Sequence, residues 1–407
     1  MSDWQSITLQ EILSVIESGS RPKGGVRIGE NSKGVPSYGG ENISMNGGML
    51  YDSVRMVPAD FAAGMSRGLL EDKDVLINKD GANTGKSGIY RRPTGEHLAT
   101  INEHLFRLRC KHEIADQEFL FHFLNSQLGK DQIGRVITGS AQPGLNSTFP
   151  EFVKIDLPPL PEQKKIAEIL SGIDRLICIE NNRLSALNRL LQSHLSSSRF
   201  SEGDPVAMSD ACLLVADCMH KTPLFEDTGY PIVRTPNVRD GNLVFEGMKF
   251  ISENSYQEWV RKDKPEAGDI LFTREAPLGE ACIVPNGPLL CIGQRMMLLR
   301  ADKRVLSPEF LLFRLRSSVI QQKLQLMSGG STVGHANVKE IRSLEIEVPS
   351  HAEQSVAVKI YQSISSSISA HSEMKGKLLN LKSAISNDLL SGRKRVSEAQ
   401  VLEGVGI

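Results

Sequence analysis

The sequence predicts an α+β chain in which two tandem globular domains are separated by an antiparallel coiled coil of two long helices. The first observation is an internal repeat: Gln163 aligns with Gln354, an offset of 191 residues that holds back to about Leu98. The second is the alternation, in each copy, of short β-type runs with Gly, Pro and Asn punctuation. The third is a long apolar-periodic helix at the end of each copy. A repeat of this length exceeds any solenoid unit and indicates two whole modules.

The two copies share one order of predicted elements. In the first copy "DVLIN", "GIYRR" and "HLFRLR" predict strands, "EFLFHFLNSQL" predicts one short helix, and a glycine-rich loop and the strand "VKIDLPP" follow. The second copy repeats this order with "DILFTREA", "EFLLFRLRSSVI", "GSTVGHAN" and "LEIEVPS". The expected segments are a first domain over 1–158, a first long helix over 159–199, a second domain over 200–349, a second long helix over 350–392 and a flexible tail over 393–407.

A run of prolines marks the end of the first domain. Pro158, Pro159 and Pro161 cannot lie inside a strand or a helix, and each restricts the residue before it. Pro161 is tolerated at a helix start, where its missing N–H would be unpaired in any case. Glu162 in the first turn suits the helix dipole. We therefore expect these prolines to fix the angle at which the first long helix leaves its domain.

Each long helix carries a narrow apolar seam with alternating spacings of four and three, which is typical of a coiled coil. We expect Lys375 and Lys382 to shift the second seam locally toward Met374 and Leu381. Two such seams predict that the helices pack on each other, with Glu180 and His371 close together across a pseudo-twofold axis. The alternative is that each helix packs onto its own globule. The seam positions are Ile166, Leu170, Ile173, Ile177, Glu180, Leu184, Leu187 and Leu191 in the first helix, and Tyr361, Ile364, Ile368, His371, Leu378, Ile385 and Leu389 in the second.

Composition excludes several classes of protein. The net charge of −1 is not that of an independent, strongly basic nucleic-acid binder. The N-terminal residues form no signal peptide, and no apolar stretch approaches the roughly 18 residues that crossing a membrane requires. The six cysteines show no CxxC pair and no framework of short spacings. We therefore expect a cytoplasmic protein with reduced, mostly buried thiols and no membrane contact.

The motifs that could carry chemistry are weak. "GANTGKSG" at residues 81–88 resembles a phosphate loop, but the required first glycine is Asp80 and a strand-like segment follows in place of a helix. "DLPPL" at 156–160 lacks the spacing and the aromatic residue of a methyltransferase signature. No histidine stands at a metal-ligand spacing from Cys or carboxylates. The sequence predicts no catalytic residue, no metal and no cofactor in this chain.

The whole chain closely resembles the specificity subunit of Type I restriction-modification systems. The resemblance depends on "IDLPPLPEQKKIAEIL" with its echo "IEVPSHAEQSVAVKI", and on the order "GENI … DVLINKDGANTGKSG … INEHLFRLR … TGSAQPGLN" before it. It implies two target-recognition domains that each read one half of a split double-stranded DNA sequence, with the helices as spacer. It also implies two methyltransferase (M) subunits and two motor-nuclease (R) subunits as partners, which would use S-adenosylmethionine, ATP and Mg. The second copy has lost the run of prolines, which bears on the rigidity of that domain–helix junction.

Polar and basic side chains in glycine-flanked loops are the candidates for DNA contact, because such loop tips reach base edges or phosphates. Taken singly, most such loops are solvated turns, and it is their recurrence at matching places that favours a role. Two other classes stay open: an enzyme that uses a nucleotide bound at Lys86, and a structural coiled-coil adaptor. The sequence does not specify the DNA motif. The candidates are Tyr38, Asn42, Lys79, Lys86, Ser140, Gln142 and Asn146 in the first module, and Arg234, Asn237, Arg239, Arg274, Ser331, His335 and Asn337 in the second.

Overall fold

A computed structural model describes residues 4–23, 34–139, 143–197, 203–327 and 334–396. The chain divides into two compact units. The first unit combines Met1–Glu180 with Met374–Ile407, and the second is Asn181–Glu373. Each unit therefore contains one globule together with part of each long helix, whereas the sequence treated the helices as segments apart from the domains.

The first module contains the following helices and strands up to the end of its long helix. They are β1 (Gln5–Thr8), α1 (Leu9–Ile12), β2 (Leu13–Ser18), β3 (Val35–Tyr38), β4 (Arg55–Val57), α2 (Ala59–Ala63), β5 (Val75–Asn78), β6 (Ser87–Ile89), β7 (Thr100–Ile101), β8 (Leu105–Cys110), α3 (Gln117–Asn125), α4 (Gln127–Val136), β9 (Lys154–Leu157) and α5 (Leu160–Leu195).

The second module repeats this order with one additional short hairpin and, before its last strand, one additional short helix. Its elements are β10 (Asp204–Ala207), α6 (Met208–Ala211), β11 (Cys212–Asp217), β12 (Tyr230–Val233), β13 (Val238–Arg239), β14 (Asn242–Leu243), β15 (Lys249–Ile251), α7 (Glu253–Trp259), β16 (Ile270–Arg274), β17 (Leu278–Ile283), β18 (Cys291–Ile292), β19 (Met296–Ala301), α8 (Pro308–Leu315), α9 (Ser318–Met327), α10 (Val338–Ser343), β20 (Glu345–Val348) and α11 (His351–Leu390).

Equivalent strands pair in the same way in both modules. The four-stranded sheet has the order β2-β8-β5-β6 in the first and β11-β19-β16-β17 in the second. The three-stranded sheets are β4-β3-β7 and β15-β12-β18, and the first and last strands pair as β1-β9 and β10-β20. Even the parallel pairs correspond, with Ser37 opposite Thr100 and Ile232 opposite Cys291. The predicted tandem α+β organisation is confirmed.

Each globule has a core between its four-stranded sheet and the helices that follow it. In the first unit, Val75 and Leu108 of the sheet lie in one buried cluster with Phe119 of α3 and with Ile166 and Leu170 of α5. Burying each such side chain stabilises the fold by roughly 1.5–3 kcal/mol. The start of α5 is therefore part of the core of its own globule, which is the arrangement that the alternative reading of the seam expected.

The single short helix predicted at "EFLFHFLNSQL" is in fact two helices. Ser126 ends α3 in an extended conformation, and its hydroxyl accepts a hydrogen bond from Gly129 N at 3.1 Å, which caps α4. A serine that caps in this way offers the backbone an alternative to continuing the helix. The apolar periodicity on both sides of Ser126 concealed this break.

The two long helices also pack on each other, and they run antiparallel. In the first unit, Asp174 of α5 contacts Lys382 of α11, and Glu162 at the start of α5 binds Arg395 just beyond the end of α11. In the second unit, the ring of His194 near the end of α5 lies 2.9 Å from the carbonyl oxygen of Ala357 near the start of α11. Both sequence alternatives therefore hold, because each unit packs the two helices against one another and against its globule.

Most predicted seam positions are buried or half-buried. The prediction that the seam of α11 shifts locally toward Met374 and Leu381 is wrong. Met374 and Leu381 are 49% and 47% exposed, while Lys382 keeps its place in the spacing and reaches Asp174 with its ammonium at 2.5 Å. A lysine fits at this point because a carboxylate of the facing helix neutralises it. Glu180 and His371 belong to different units, and their proximity stays a prediction.

The tail also begins later than predicted. Arg395 donates to both carboxylate oxygens of Glu162, at 2.8 and 2.7 Å, and its guanidinium lies 5.6 Å from the Trp4 ring. The Trp4 indole N–H donates to the same carboxylate. A two-pronged arginine–carboxylate pair on a buried carboxylate fixes the backbone around it, so the expectation of a flexible segment is wrong for 393–396. Residues 397–407 lie outside the described ranges.

Replacing Lys382 with methionine should destabilise the protein by about 1–3 kcal/mol at neutral pH, because Asp174 loses its cation while the seam stays apolar. Burial already raises the pKa of the Asp174 carboxyl, with Lys382 opposing the shift. Without Lys382 the folded-state pKa of Asp174 rises further, which penalises the charged carboxylate relative to the unfolded chain. The destabilisation is therefore complete above the folded-state pKa of the variant, and it shrinks as the pH falls toward 3.8, the ordinary pKa of an aspartate. Urea unfolding of the full chain at several pH values measures it.

Two variants control this measurement. Lys359→Met changes an exposed lysine of the same helix and should shift the unfolding free energy by no more than about 0.5 kcal/mol. Adding Asp174→Asn to Lys382→Met removes the buried charge and should recover most of the loss. A loss that is the same at every pH would show that Lys382 acts through packing alone.

Candidate nucleic-acid interface

In the first unit, two loops and one strand end meet beside the β5–β6 turn. The amide of Lys79 donates to the carbonyl of His104 at 2.9 Å, and the carbonyl of Lys79 accepts from the amide of Leu145 at 2.6 Å. Asp80 forms an isolated bridge with Gly144, and its carboxylate lies 2.7 Å from Nδ1 of His104. We call Lys79, Asp80, His104 and Gly144 the first loop cluster.

The second unit builds the same junction from different side chains. Glu275 forms an isolated bridge with His335, and its carboxylate contacts Nε of Arg295 at 3.0 Å and Nδ1 of His335 at 3.3 Å. Arg274 lies at the place of Lys79, and its guanidinium is 3.5 Å from the carboxylate of Asp217. We call Arg274, Glu275, Arg295 and His335 the second loop cluster.

An acidic residue flanked by basic side chains thus recurs at one position of the repeat. Asp80 and Glu275 differ by 195 residues, while His104 and Arg295, like Gly144 and His335, differ by 191. Each carboxylate ties its neighbours together and sets their direction, since a charge-assisted hydrogen bond is stronger than a neutral one. Sequence reasoning missed Asp80, His104, Glu275 and Arg295, although the matching of acid to acid at this offset was a usable signal.

Three predicted DNA contacts are misplaced. Tyr38, Asn42 and Asn237 are buried, not at exposed loop tips. The hydroxyl of Tyr38 donates to the Glu96 carboxylate at 2.9 Å, and burial together with that carboxylate strongly raises the pKa of the phenol. A buried polar group whose hydrogen bond is made within the protein is not available to a ligand.

Asn42 and Asn237 do the same structural work in the two units. The side-chain oxygen of Asn42 accepts from the Gly39 amide at 3.0 Å, and that of Asn237 accepts from the Arg234 amide at 3.2 Å. The amide nitrogen of Asn42 then donates to the Leu50 carbonyl. Each asparagine thereby fixes a short 3₁₀ turn, a local bond that this residue type favours.

The remaining candidates of the first module lie at or near the surface. Lys79 is half-buried with its ammonium 5.5 Å from the Phe106 ring, Lys86 is half-buried, and Asn146 is exposed. The loop that carries Lys86 joins two antiparallel strands, β5 and β6. A phosphate loop of the nucleotide-binding kind leads instead into a helix. Ser140 and Gln142 fall outside the described residues.

In the second module, Arg239, His335 and Asn337 are exposed, and Arg234 and Arg274 are half-buried. Asn337 has a structural role as well, because its side-chain oxygen accepts from the Glu340 amide at 3.0 Å and caps α10. Ser331 falls outside the described residues.

Positive charge is concentrated around the second loop cluster. There Arg274 and Arg295 are joined by Lys221 and Arg234 against the carboxylates of Asp217, Glu258 and Glu275. This gives an excess of positive charge in a chain whose net charge is −1. Local concentration of Lys and Arg is what a phosphate backbone attracts.

Other kinds of site find little support in the part of the chain that the structure describes. Within those ranges no group of three or more His, Cys, Asp or Glu residues could hold a metal ion. Five of the six cysteines are buried, and burial raises the pKa of Cys110, Cys212, Cys282 and Cys291 to about 12. Thiols with so high a pKa are poor nucleophiles. No helix in the described ranges is both long and apolar enough to cross a membrane.

Comparison with known proteins agrees with this fold of two repeated modules. The family model described as "Type I restriction modification DNA specificity domain" matches residues 1–189 and again 216–380. The chain therefore belongs to the Type I restriction-modification DNA specificity family, and the predicted resemblance is confirmed.

Relatives and solved structures extend over the same length. The Type I restriction enzyme MjaVIII specificity subunit of Methanocaldococcus jannaschii is 23% identical over 97% of this chain and 93% of its own. The putative MjaX specificity subunit of that organism is 26% identical over 97% and 94%. A crystal structure of a Type I restriction-modification S subunit from M. genitalium superimposes with a TM-score of 0.62 at 12% identity, covering 96% of each chain. A structure from a study of assembly and conformational transition of the type I R-M system gives 0.55 at 18% identity, covering 95% and 97%.

Proposed function

We propose that this chain is the DNA-reading, non-catalytic subunit of a Type I restriction-modification assembly, in which each unit reads one half of a bipartite double-stranded DNA target. The observation that supports it best is the loop cluster that recurs at the same fold position in both units. The scaffold is the same, whereas the side chains differ: Asp80, His104 and Gly144 in one, Glu275, Arg295 and His335 in the other. One frame with two sets of polar groups is suited to reading two different sequences.

The long helices are proposed to set the distance between the half-sites and to dock two methyltransferase subunits. α5 has 36 residues and α11 has 40, so at about 1.5 Å per residue they extend for about 54 and 60 Å. Apolar side chains remain exposed on them, among them Leu190 at 53% and Ile360 at 40% in the second unit. Exposed apolar surface of this kind is common where another protein binds.

Chemistry is assigned to the partners. The methyltransferase subunits would use S-adenosylmethionine, and two motor-nuclease subunits would use ATP and Mg, while this chain holds no cofactor. Co-purification with an adenine methyltransferase, followed by genome-wide methylation mapping in cells with and without this gene, tests the proposal. Loss of one bipartite methylated sequence on deletion is expected, and an unchanged methylation map would refute it.

Lys86→Ala should weaken DNA binding about equally across sequences and lower the salt slope, d log K/d log [salt], by roughly one unit. Lys86 is half-exposed in the β5–β6 loop, with no ion-pair partner among the described residues. A lone ammonium at such a place contacts phosphate and carries no sequence information. Binding of the full chain with its partners, titrated over a range of salt concentrations, measures the slope.

Lys154→Ala is the matched control, because Lys154 is an exposed lysine on β9 and does not belong to the first loop cluster. It should leave affinity and slope unchanged. ATP binding by the purified chain that disappears in Lys86→Ala would contradict the proposal and support the nucleotide-dependent enzyme instead. A chain that binds no DNA and no methyltransferase would favour the structural adaptor.

A further inference from the structure

A cleft of about 320 Å³ opens in the second unit beside the second loop cluster. Its walls include Lys221, Phe225, Arg234, Gln294 and Arg295. Arg295 belongs to the loop cluster as well, so the cleft and the cluster form one continuous surface. Basic and amide side chains around an aromatic ring are suited to a planar, acceptor-rich ligand.

The guanidinium of Arg234 is held in place inside this cleft. It lies 5.6 Å from the centre of the Phe225 ring, and Nη2 donates to the carbonyl of Gly247 at 3.2 Å. Its Nε is buried without an acceptor, and among the described residues no carboxylate lies within ion-pair distance of it. The guanidinium as a whole is half-buried, so its Nη atoms remain accessible to a bound acceptor.

The backbone beneath Arg234 is the turn that both units share, but the side chain is not shared. Gly39 occupies the equivalent position in the first unit, 195 residues earlier, above the same buried asparagine. A Cβ at Gly39 would lie 2.3 Å from the carboxylate of Glu41 and 2.6 Å from the amide of Asn102. In the first unit, the ends of the Glu41 and Asn102 side chains occupy the space where the second unit presents an arginine.

We propose that Arg234 is a specificity-determining residue of the second unit, which reads a guanine in the second half-site. The inference rests on the proposed function. The major-groove edge of guanine presents two acceptors, O6 and N7, that match the fork of an arginine. The cation–π contact with Phe225 and the hydrogen bond to Gly247 hold the fork before binding, which lowers the entropy cost of reading the base. Asn237 is a positioning residue, because it fixes the turn that carries Arg234.

Two substitutions separate base reading from charge. The full chain, assembled with its methyltransferase subunits, selects DNA from a library in which the second half-site is randomised. Arg234→Ala should lower the preference for guanine at one position about tenfold to a hundredfold, with the first half-site unchanged. Arg234→Lys retains the positive charge and loses the fork, so it should lose the same preference while overall affinity stays within a few-fold.

Further variants check fold and position. Phe225→Leu, at a partly exposed ring, should weaken the guanine preference several-fold because the guanidinium loses its cation–π contact. Lys303→Ala removes an exposed cation at the opposite end of β19, roughly 20 Å away at about 3.3 Å per residue, and should change nothing. Thermal unfolding midpoints establish that each variant folds.

Three results would overturn the inference. Uniform weakening by Arg234→Ala that Arg234→Lys restores would make Arg234 a phosphate contact. Unchanged selection in Arg234→Ala would remove it from the interface. A preference lost at positions of both half-sites would mean that it acts through the fold. In each case the wild-type chain still selects a bipartite motif, whereas failure of the proposed function itself would leave the wild type selecting no motif.

Discussion

Replacing residues 19–149 with the matching segment of a relative of different specificity should change one half of the methylated sequence and leave the other half intact. Each unit has its own sheets, core and loop cluster, so the exchange leaves the second reader untouched. The effect is large, because specific sites are bound on the order of 10³- to 10⁷-fold more tightly than non-specific DNA. Methylation mapping of cells that carry the chimera measures it.

The reciprocal exchange of residues 221–343 is the control and should change only the other half. Both exchanges begin and end outside the long helices α5 and α11, so the contacts Asp174–Lys382 and His194–Ala357 are retained. A chimera in which both halves of the methylated sequence change would refute the two-reader proposal. A chimera that still folds but methylates nothing would show that each reader depends on the other.

The fold could be predicted because repetition supplies its own test. A single run such as "DVLIN" indicates only a strand, but its match to "DILFTREA" placed β5 and β16 at the same point of two equivalent sheets. The break at Ser126 was missed for a local reason. Helical periodicity continues across it, and only the cap on Gly129 separates α3 from α4.

The seam shows what spacing alone leaves undetermined. The alternating spacing of four and three residues continues through Lys382. The sequence nevertheless predicted that the seam shifts there, because a charged residue is unusual in an apolar seam. Its partner, Asp174, is more than 200 residues away in sequence and belongs to the other helix. Pairing of that kind depends on how the two helices align along each other, and the sequence of either helix alone does not determine that alignment.

The candidate site was harder to predict, because one residue type serves two purposes. Asn42 and Asn237 stand in Gly- and Pro-rich segments, as exposed turn residues do, but both are buried and fix the backbone. The groups that the loops do bring together, such as Asp80 with His104, come from segments with different repeat offsets. Recognising them required the backbone contacts between loops that one sequence does not reveal.

Adding one heptad to each long helix should lengthen the spacer of the DNA target while both half-sites stay the same. The insertions belong after Leu184 and at its facing point, which the His194–Ala357 contact places near Ser367. Seven residues preserve the a/d register and add about 10 Å, equal to about three base pairs. Methylation mapping reads the spacer directly.

Geometry also predicts a cost. Three additional base pairs turn the second half-site by about 100° around the duplex, since one turn takes about 10.5 base pairs. A heptad in each helix does not rotate the recognition domain by a matching angle. Methylation should therefore be slower at the longer sites than in the wild type. The control is a two-residue insertion at the same two points, which turns the following seam by about 200°, breaks the a/d register and should abolish methylation. Full activity with an unchanged spacer would show that the helices do not set the distance between the half-sites.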